Sequence, residues 1–347
     1  MEVAIITVYN TENCGSALQA YALSEYVKEL GYNQYFVYRS TLGTPNANWR
    51  CYLSCLKNIL KFDYGRAKER LYRYKAFHKF QKRFVIKKIN KISSNDIIII
   101  GSDTLWNLED DYFSKQKMFF WASEINCKKK FTYAIAVGNT NVEAFEDDWF
   151  KNQLESFDAM SARDKHTYEI IKRIYDEDIE IVCDPTLLYT KEKYRKMYNA
   201  DVQEKYVLLY YFGELNTQQI SQIKLFADER KFKIYSFGRK RNWCDNSISN
   251  SPENFLKYFD SAEFVVTNTF HGAVFSTIYE KQFIAFVENS IKAREYLLSI
   301  GLNDRIMNIN SNNIINKLSS DIDYDIVNYK INNIREKSKK FIKKNIQ

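Results

Sequence analysis

Several things are scarce in this 347-residue sequence, and each shortage excludes a class of protein. No apolar run approaches the roughly 18 to 20 residues that span a bilayer, which excludes a helical integral membrane protein. The opening MEVAIITVYN has one acidic residue, no basic n-region and no small-residue cleavage site, so it reads as a first buried strand rather than a signal peptide. The expected location is the cytoplasm, or the inner face of the cell membrane as a peripheral protein. Glycines number ten, too few and too dispersed for a dinucleotide fingerprint, and no Walker lysine follows any of them, so a nicotinamide or ATP site is poorly supported. The six cysteines are scattered. Only Cys51 and Cys55 are close, and with no second pair or nearby histidine they read as free thiols in a reducing compartment, not a zinc or disulfide framework. Cys14, in a glycine-containing loop, is the one whose surroundings suggest reactivity.

What is present begins with core material: 45% of residues are hydrophobic and 16% aromatic, ample for about two domains at this length. The charge of +8 is concentrated. Residues 57 to 91 hold thirteen Lys or Arg against Asp63 and Glu69, a net of +11 that leaves the remainder slightly acidic. Leu60, Leu71, Tyr74, Phe77, Phe80 and Phe84 recur there at steps that read as an amphipathic helix with a basic face. That face reads either as a solvated surface or as a dock for an anionic membrane; no nucleic-acid fold signature accompanies the charge, so nucleic acid is not expected as a partner.

Short apolar runs alternate with helical stretches along most of the chain, from Val3–Val8 and the helix at 16–30 to Gln34–Tyr38, Ile97–Ile100 and Lys130–Ala136. This rhythm predicts an α/β fold of parallel, doubly wound sheets. It pauses at Asp184-Pro185-Thr186 and restarts at Tyr206–Tyr211. The expected architecture is two Rossmann-like domains facing across a cleft, 1–190 and 191–347, the first with a basic helical insertion at about 48–92 and the second ending in a basic helix. The Asn- and Ile-rich stretch near 308–316 reads as compositional bias.

Four strand-to-helix junctions could carry chemistry, because such loops converge at the carboxyl edge of a parallel sheet. In YNTENCGSALQAYAL, amides around Asn13, Gly15 and Ser16 could hold an anion or a sugar hydroxyl. In IIIIGSDTLWN, Ser102 and Asp103 follow a buried strand directly; the carboxylate could orient or deprotonate an acceptor hydroxyl, or cap a helix. In FDAMSARDKHTYEII, Arg163 offers two parallel donors for a phosphate or carboxylate, whereas Asp164 and His166 read as residues that cap and line the next helix. In EFVVTNTFHGAVFSTIYE, His271 lies beside Thr269 and Gly272 where strand hands over to helix, either as a proton donor near neutrality or as a helix cap. The other two histidines, His78 and His166, fall in helical stretches as surface or capping residues.

In order and spacing, NCGSALQAYAL, IIIGSDTLWN, SARDKH, VCDPTLLY, SPENFLKYFDSAEFVVTNTFHGAVFS and AREYLLSIGLNDR resemble the polysaccharide pyruvyl transferase family over most of the chain. The resemblance implies a fold like that of GT-B glycosyltransferases and transfer of a pyruvyl group from phosphoenolpyruvate to two hydroxyls of a glycan or its lipid-linked precursor, forming a ketal and releasing phosphate. It implies phosphoenolpyruvate as co-substrate, with no cofactor or metal. Carried over, Arg163 and His271 fall where donor-binding residues occur, and Arg294 lies in a segment that can reach the same cleft; with Asp103 from the loop reading above, His271 and Arg163 are the catalytic candidates. Arg163, Thr269, His271, Gly272 and Arg294 fall on the donor side, and Asn13, Gly15, Ser16, Ser102 and Asp103 on the acceptor side. One position departs from the pattern: some members place arginine two residues before the histidine, and here Thr269 stands there. Two other readings remain beside this one, a nucleotide-sugar glycosyltransferase of the same architecture and a non-catalytic glycan-assembly protein.

Overall fold

The computed structural model describes residues 1–39, 51, 53–56, 60, 63–199 and 202–347. The chain divides into two units, Met1–Leu188 with Ile334–Gln347, and Tyr189–Asn333. The closing residues 334–347, expected with the second domain, therefore belong to the first. The helix Tyr324–Ile346 carries the chain from one unit into the other, and Ser338 on it donates a hydrogen bond back to the Ile334 carbonyl while accepting the Cys183 amide at 2.8 Å.

In the first unit, strands β1 (Val3–Ile6), β2 (Gln34–Tyr38), β3 (Ile86–Lys88), β4 (Ile97–Ile100) and β5 (Lys129–Thr132) form a parallel sheet in the order β3-β2-β1-β4-β5. The central strands VAII and IIII are buried throughout, as strands covered by helices on both faces must be, so they carry continuous rather than alternating apolar residues. The edge strand β3 reads IKK and is largely exposed, with its charges guarding the open edge. A short pair, β6 (Met160–Ala162) and β7 (Ile179–Ile181), continues the sheet beyond β5 through parallel bridges at Phe131–Ala159 and Ile135–Ala162.

The second unit repeats the plan. Strands β8 (Tyr206–Tyr210), β9 (Lys233–Phe237), β10 (Asn246–Ile248), β11 (Phe264–Thr267) and β12 (Gln282–Ala285) pair in parallel in the order β10-β9-β8-β11-β12. The strand order reverses between β1 and β4 in one unit and between β8 and β11 in the other. Those are the switch points beside which doubly wound sheets bind ligands, and the GSD and HG loops leave β4 and β11 directly there.

Three expectations need correcting. The basic segment is not one helix: Tyr64–Gln81 is helical, and the chain then enters β3, because Ile86–Lys88 finds strand partners in Phe36–Tyr38. Phe77, Phe80 and Phe84 are buried as the spacing requires, but Leu60 is 78% exposed. Lys57 and Lys61 of the basic segment lie outside the described residues. The Asn- and Ile-rich stretch runs into a helix, Ile314–Ser319, whose Ile314 and Leu318 are buried in the core of the second unit. Among the described residues no helix is long and apolar enough to cross a membrane.

Candidate functional site

At the β1/β4 switch point a cluster of polar contacts gathers around Asp103. Gly101 adopts φ +122° and a Cβ there would lie 2.1 Å from the Tyr133 carbonyl oxygen, so only glycine lets β4 turn this tightly against its neighbour. Asp103 itself has φ 88°, a conformation that costs a non-glycine residue on the order of 1 to 3 kcal/mol and is retained mostly where function requires it. The position does not cap a helix. Its carboxylate accepts the Ser16 hydroxyl at 2.8 Å through Oδ2 and the Thr104 amide at 2.8 Å through Oδ1. Trp106, three residues on, anchors the loop: it stacks on Trp121 with ring centroids 3.8 Å apart and donates to the Phe120 carbonyl.

The first loop is built differently from expectation. Asn13 is the N-cap of the helix Cys14–Glu29, its side-chain oxygen accepting the amides of Gly15 at 2.9 Å and Ser16 at 3.3 Å. Those amides are thus spent on the cap, and it is the Ser16 side chain that reaches the site. Cys14 is buried, and burial pushes its thiol well above the ordinary range, which overturns its reading as the reactive cysteine. The loop is clamped from outside by the basic helix: Glu12 accepts Arg70 at 2.5 and 2.6 Å and Arg73 at 2.7 Å, and Gln81 donates to the Thr11 carbonyl. Part of the basic face is therefore neutralised locally. Ser102 is fully buried; its carbonyl accepts the Thr7 hydroxyl at 2.9 Å, while its own hydroxyl finds no partner among the described residues.

Arg163 is also buried, its side chain 3% exposed, and Nη1 lies 3.3 Å from Oδ2 of Asp184, whose side chain is wholly buried. Asp184 is held in turn by Thr186, which donates its amide at 3.0 Å and hydroxyl at 2.7 Å. The expected open fork for an anion is a buried ion pair instead, because the SARD and CDPT segments meet where β6 ends. The Arg163 amide donates to the Ile135 carbonyl, and Ile135 also bridges Asp103, so both sequence candidates flank one residue at the carboxyl edge. Asp164 caps the next helix through the Thr167 amide, as expected, and His166 faces the Thr140 carbonyl at 3.1 Å.

In the second unit, the helix Phe270–Ile278 begins one residue before His271, placing it inside the first turn. Thr269 is the N-cap, and its hydroxyl accepts the Gly272 amide at 2.8 Å. That amide is therefore not available to an anion. Glycine is needed here for close approach: a Cβ would lie 2.0 Å from Thr267 Oγ1 and 2.6 Å from Thr269 Oγ1. The His-Gly pair thus divides its work, with glycine seating the helix on the strand end and histidine half-buried and edge-on to Phe270. Two residues went unnoticed in the sequence. Asn268 clasps Phe212 of the β8 loop by accepting its amide at 2.8 Å and donating to its carbonyl at 2.6 Å. Lys292 lies 5.9 Å from the Phe270 ring, whereas Arg294, two positions on, is exposed. Only tertiary packing separates these two cations. Among the described residues no three His, Cys, Asp or Glu side chains gather as a metal site requires.

The family model for polysaccharide pyruvyl transferase matches residues 13–290. The chain belongs to the polysaccharide pyruvyl transferase family. As a member it is a transferase enzyme, and the matched stretch contains the candidate residues of all four loops, with Arg294 falling just outside it. No curated protein matches the chain. Among solved structures, a protein from Listeria monocytogenes assigned as a UDP-N-acetylglucosamine 2-epimerase has a TM-score of 0.56 at 9% identity, covering 99% of this chain and 97% of its own. The Neisseria meningitidis UDP-GlcNAc 2-epimerase bound to UDP-GlcNAc scores 0.54 at 10% identity, covering 100% and 99%. The S. aureus MnaA structure with UDP scores 0.50 at 9% identity, covering 95% and 90%. At such identities these likenesses show the fold alone, the GT-B-like pairing of two doubly wound α/β units.

Proposed function

We propose that this family member moves a pyruvyl group from phosphoenolpyruvate onto two hydroxyls of a cell-surface glycan or its lipid-linked precursor. What supports the reading most is the family match over residues 13–290, which takes in the Asp103, Arg163 and His271 loops together.

In the proposed reaction the enol methylene carbon takes a proton, which leaves the adjacent carbon electrophilic. A first acceptor hydroxyl adds there and gives up its proton; phosphate departs, and a second hydroxyl closes the ketal. Of the two hydroxyl protons, one balances the new methyl group and the other leaves with phosphate. Asp103 is assigned as the base, with Ser16 holding its Oδ2 in place, a role worth about 10² to 10⁴ in rate. His271 is assigned to the donor, protonating it or hydrogen-bonding the departing phosphate. Arg163, already compensated by Asp184, is assigned to positioning the Ile135 edge, and the positive charge missing at position 269 is assigned to Arg294 or Lys292 in the first turn of the helix Ile291–Ser299. A lipid-linked acceptor accounts for the basic helix, whose Lys68 and Lys75 are exposed beside the paired Arg70 and Arg73. Sedimentation with anionic liposomes at low salt tests that part, and full recovery in the supernatant would sink it.

The decisive experiment is thermal unfolding with millimolar phosphoenolpyruvate on wild type and His271→Ala, since a ligand that binds only the native state raises its stability. Stabilisation of wild type and its loss in the variant is the expected result. No shift with phosphoenolpyruvate but a shift with a UDP-sugar would move the assignment to the nucleotide-sugar reading; UDP-GlcNAc and UDP are the ligands of two structural neighbours.

A further inference from the structure

A cavity of about 410 Å³ opens at the carboxyl ends of β1 and β2 in the first unit, and none of the roles above uses it. Its size falls within the range of roughly 300 to 1,000 Å³ typical of small-ligand sites. Its walls combine three tyrosines, Tyr9, Tyr38 and Tyr112, with the polar side chains of Asn10, Thr11 and Asp110 and the ring of Phe113. We propose that this cavity binds one neutral pyranose ring of the acceptor. The proposal rests on the acceptor being a glycan.

Sugar rings present an apolar face of C–H groups and a rim of hydroxyls, so they suit sites that alternate aromatic faces with hydrogen-bonding oxygens. Tyr9 is fixed by packing against Phe36 and Phe84, with ring centroids 4.9 and 6.3 Å away. Burial, with the Tyr38 and Tyr112 hydroxyls nearby, pushes its phenol well above the ordinary value, so it stays a neutral donor and acceptor. Tyr112 is 46% exposed at the mouth, and Asp110 holds its amide at 2.8 Å. Of the described lining residues none is a cation, and Asp110 is an anion. Arg70 and Arg73 of the basic helix are engaged by Glu12. This electrostatic setting disfavours uronates and sugar phosphates and leaves neutral hexoses. The wall also leads to the chemistry: Thr7, which lines the cavity, donates to the Ser102 carbonyl and accepts from Gln19, so the cavity shares a strand end with the Ser16–Asp103 pair.

The test is calorimetric titration of the full chain, without phosphoenolpyruvate, with methyl pyranosides of glucose, galactose and mannose, and with galacturonate and glucose 6-phosphate. At least one neutral pyranoside should bind and the acidic sugars more weakly. Tyr112→Ala should weaken the binding about tenfold, the size of one lost polar contact, and Tyr112→Phe less. Circular dichroism of the variants confirms that they fold, as removal of a half-exposed side chain should permit. Failure of all neutral pyranosides to bind, indifference to Tyr112→Ala, or tighter binding of the acidic sugars would overturn the proposal. The phosphoenolpyruvate shift, measured in parallel, separates the two ideas: its absence with sugar binding intact refutes pyruvyl transfer alone, and its presence without sugar binding refutes the cavity alone.

Discussion

The Ser16 hydroxyl donates to Asp103 Oδ2 at 2.8 Å across 87 positions of sequence, joining the first turn of the helix that follows β1 to the loop that follows β4. The contact exists because β1 and β4 are neighbours in register, Ile6 opposite Ile100, so the loops that leave them emerge side by side. Asp103→Asn should therefore lower phosphate release by 10² or more, about the contribution of a general base, while circular dichroism stays native. Ser16→Ala should lose less, since it removes only the group that orients the carboxylate. Equal and small losses in both variants would remove Asp103 from the chemistry.

Gly272 should tolerate no larger residue while Thr267 is present. A Cβ 2.0 Å from Thr267 Oγ1 must displace the helix or the strand end, and overpacking of this kind costs on the order of 1 to 3 kcal/mol. Urea unfolding of Gly272→Ala should show that loss, and Thr267→Ala in the same chain should recover part of it, because neighbouring substitutions are not additive.

At position 269 the threonine hydroxyl caps the His271 helix, so Thr269→Ala should cost about 1 kcal/mol and Thr269→Ser close to nothing. Introducing the family's arginine there should carry the same capping loss even if it strengthens the donor shift. The balance between midpoint of unfolding and phosphoenolpyruvate response in Thr269→Arg reads both effects in one protein.

The Arg163–Asp184 pair is buried, and removing one partner strands the other. Arg163→Ala and Asp184→Ala should each destabilise by about 3 to 5 kcal/mol, and the double variant by much less than their sum. Chemical denaturation of the three variants measures the coupling; additivity would show that the two groups are not paired in solution.

The buried thiols set an alkaline limit. Burial raises Cys14 well above its usual range and Cys183 to about 11, so the folded chain keeps protons that the unfolded chain releases near pH 9. This contribution to stability is fully present below pH 9 and is lost as pH rises from there through the folded values. Denaturant midpoints between pH 8 and 11 should fall accordingly, more in wild type than in Cys183→Ser. Native Cys14 should resist iodoacetamide at pH 8, whereas half-buried Cys127 should be modified first.

Much of the fold was readable before any coordinates, for local reasons. Continuous apolar runs such as IIII can only be strands buried on both faces, and their alternation with amphipathic stretches implies two parallel sheets. That the four candidate loops follow parallel strands was readable too, because a short apolar run followed by a helical stretch puts its loop at the carboxyl edge of a parallel sheet whatever the residues in it. How each polar group is spent was not. Whether an amide at Gly15 or Gly272 meets a ligand or a cap depends on where a neighbouring side chain points, and both turned inward to Asn13 and Thr269. Arg163 read as an anion grip because its partner lies 21 positions on and becomes a neighbour only through the β6–β7 pairing.

The division follows from the range of the forces involved. Hydrophobic periodicity and strand or helix preference act over a few residues, so the sequence by itself determined the alternating architecture, the strand-to-helix position of the four loops and the family. Hydrogen bonds and ion pairs act only at contact, so tertiary structure alone decided that Ser16 holds Asp103, that Asp184 occupies Arg163, that Lys292 and not Arg294 lies against Phe270, and that three tyrosines far apart in sequence surround one cavity.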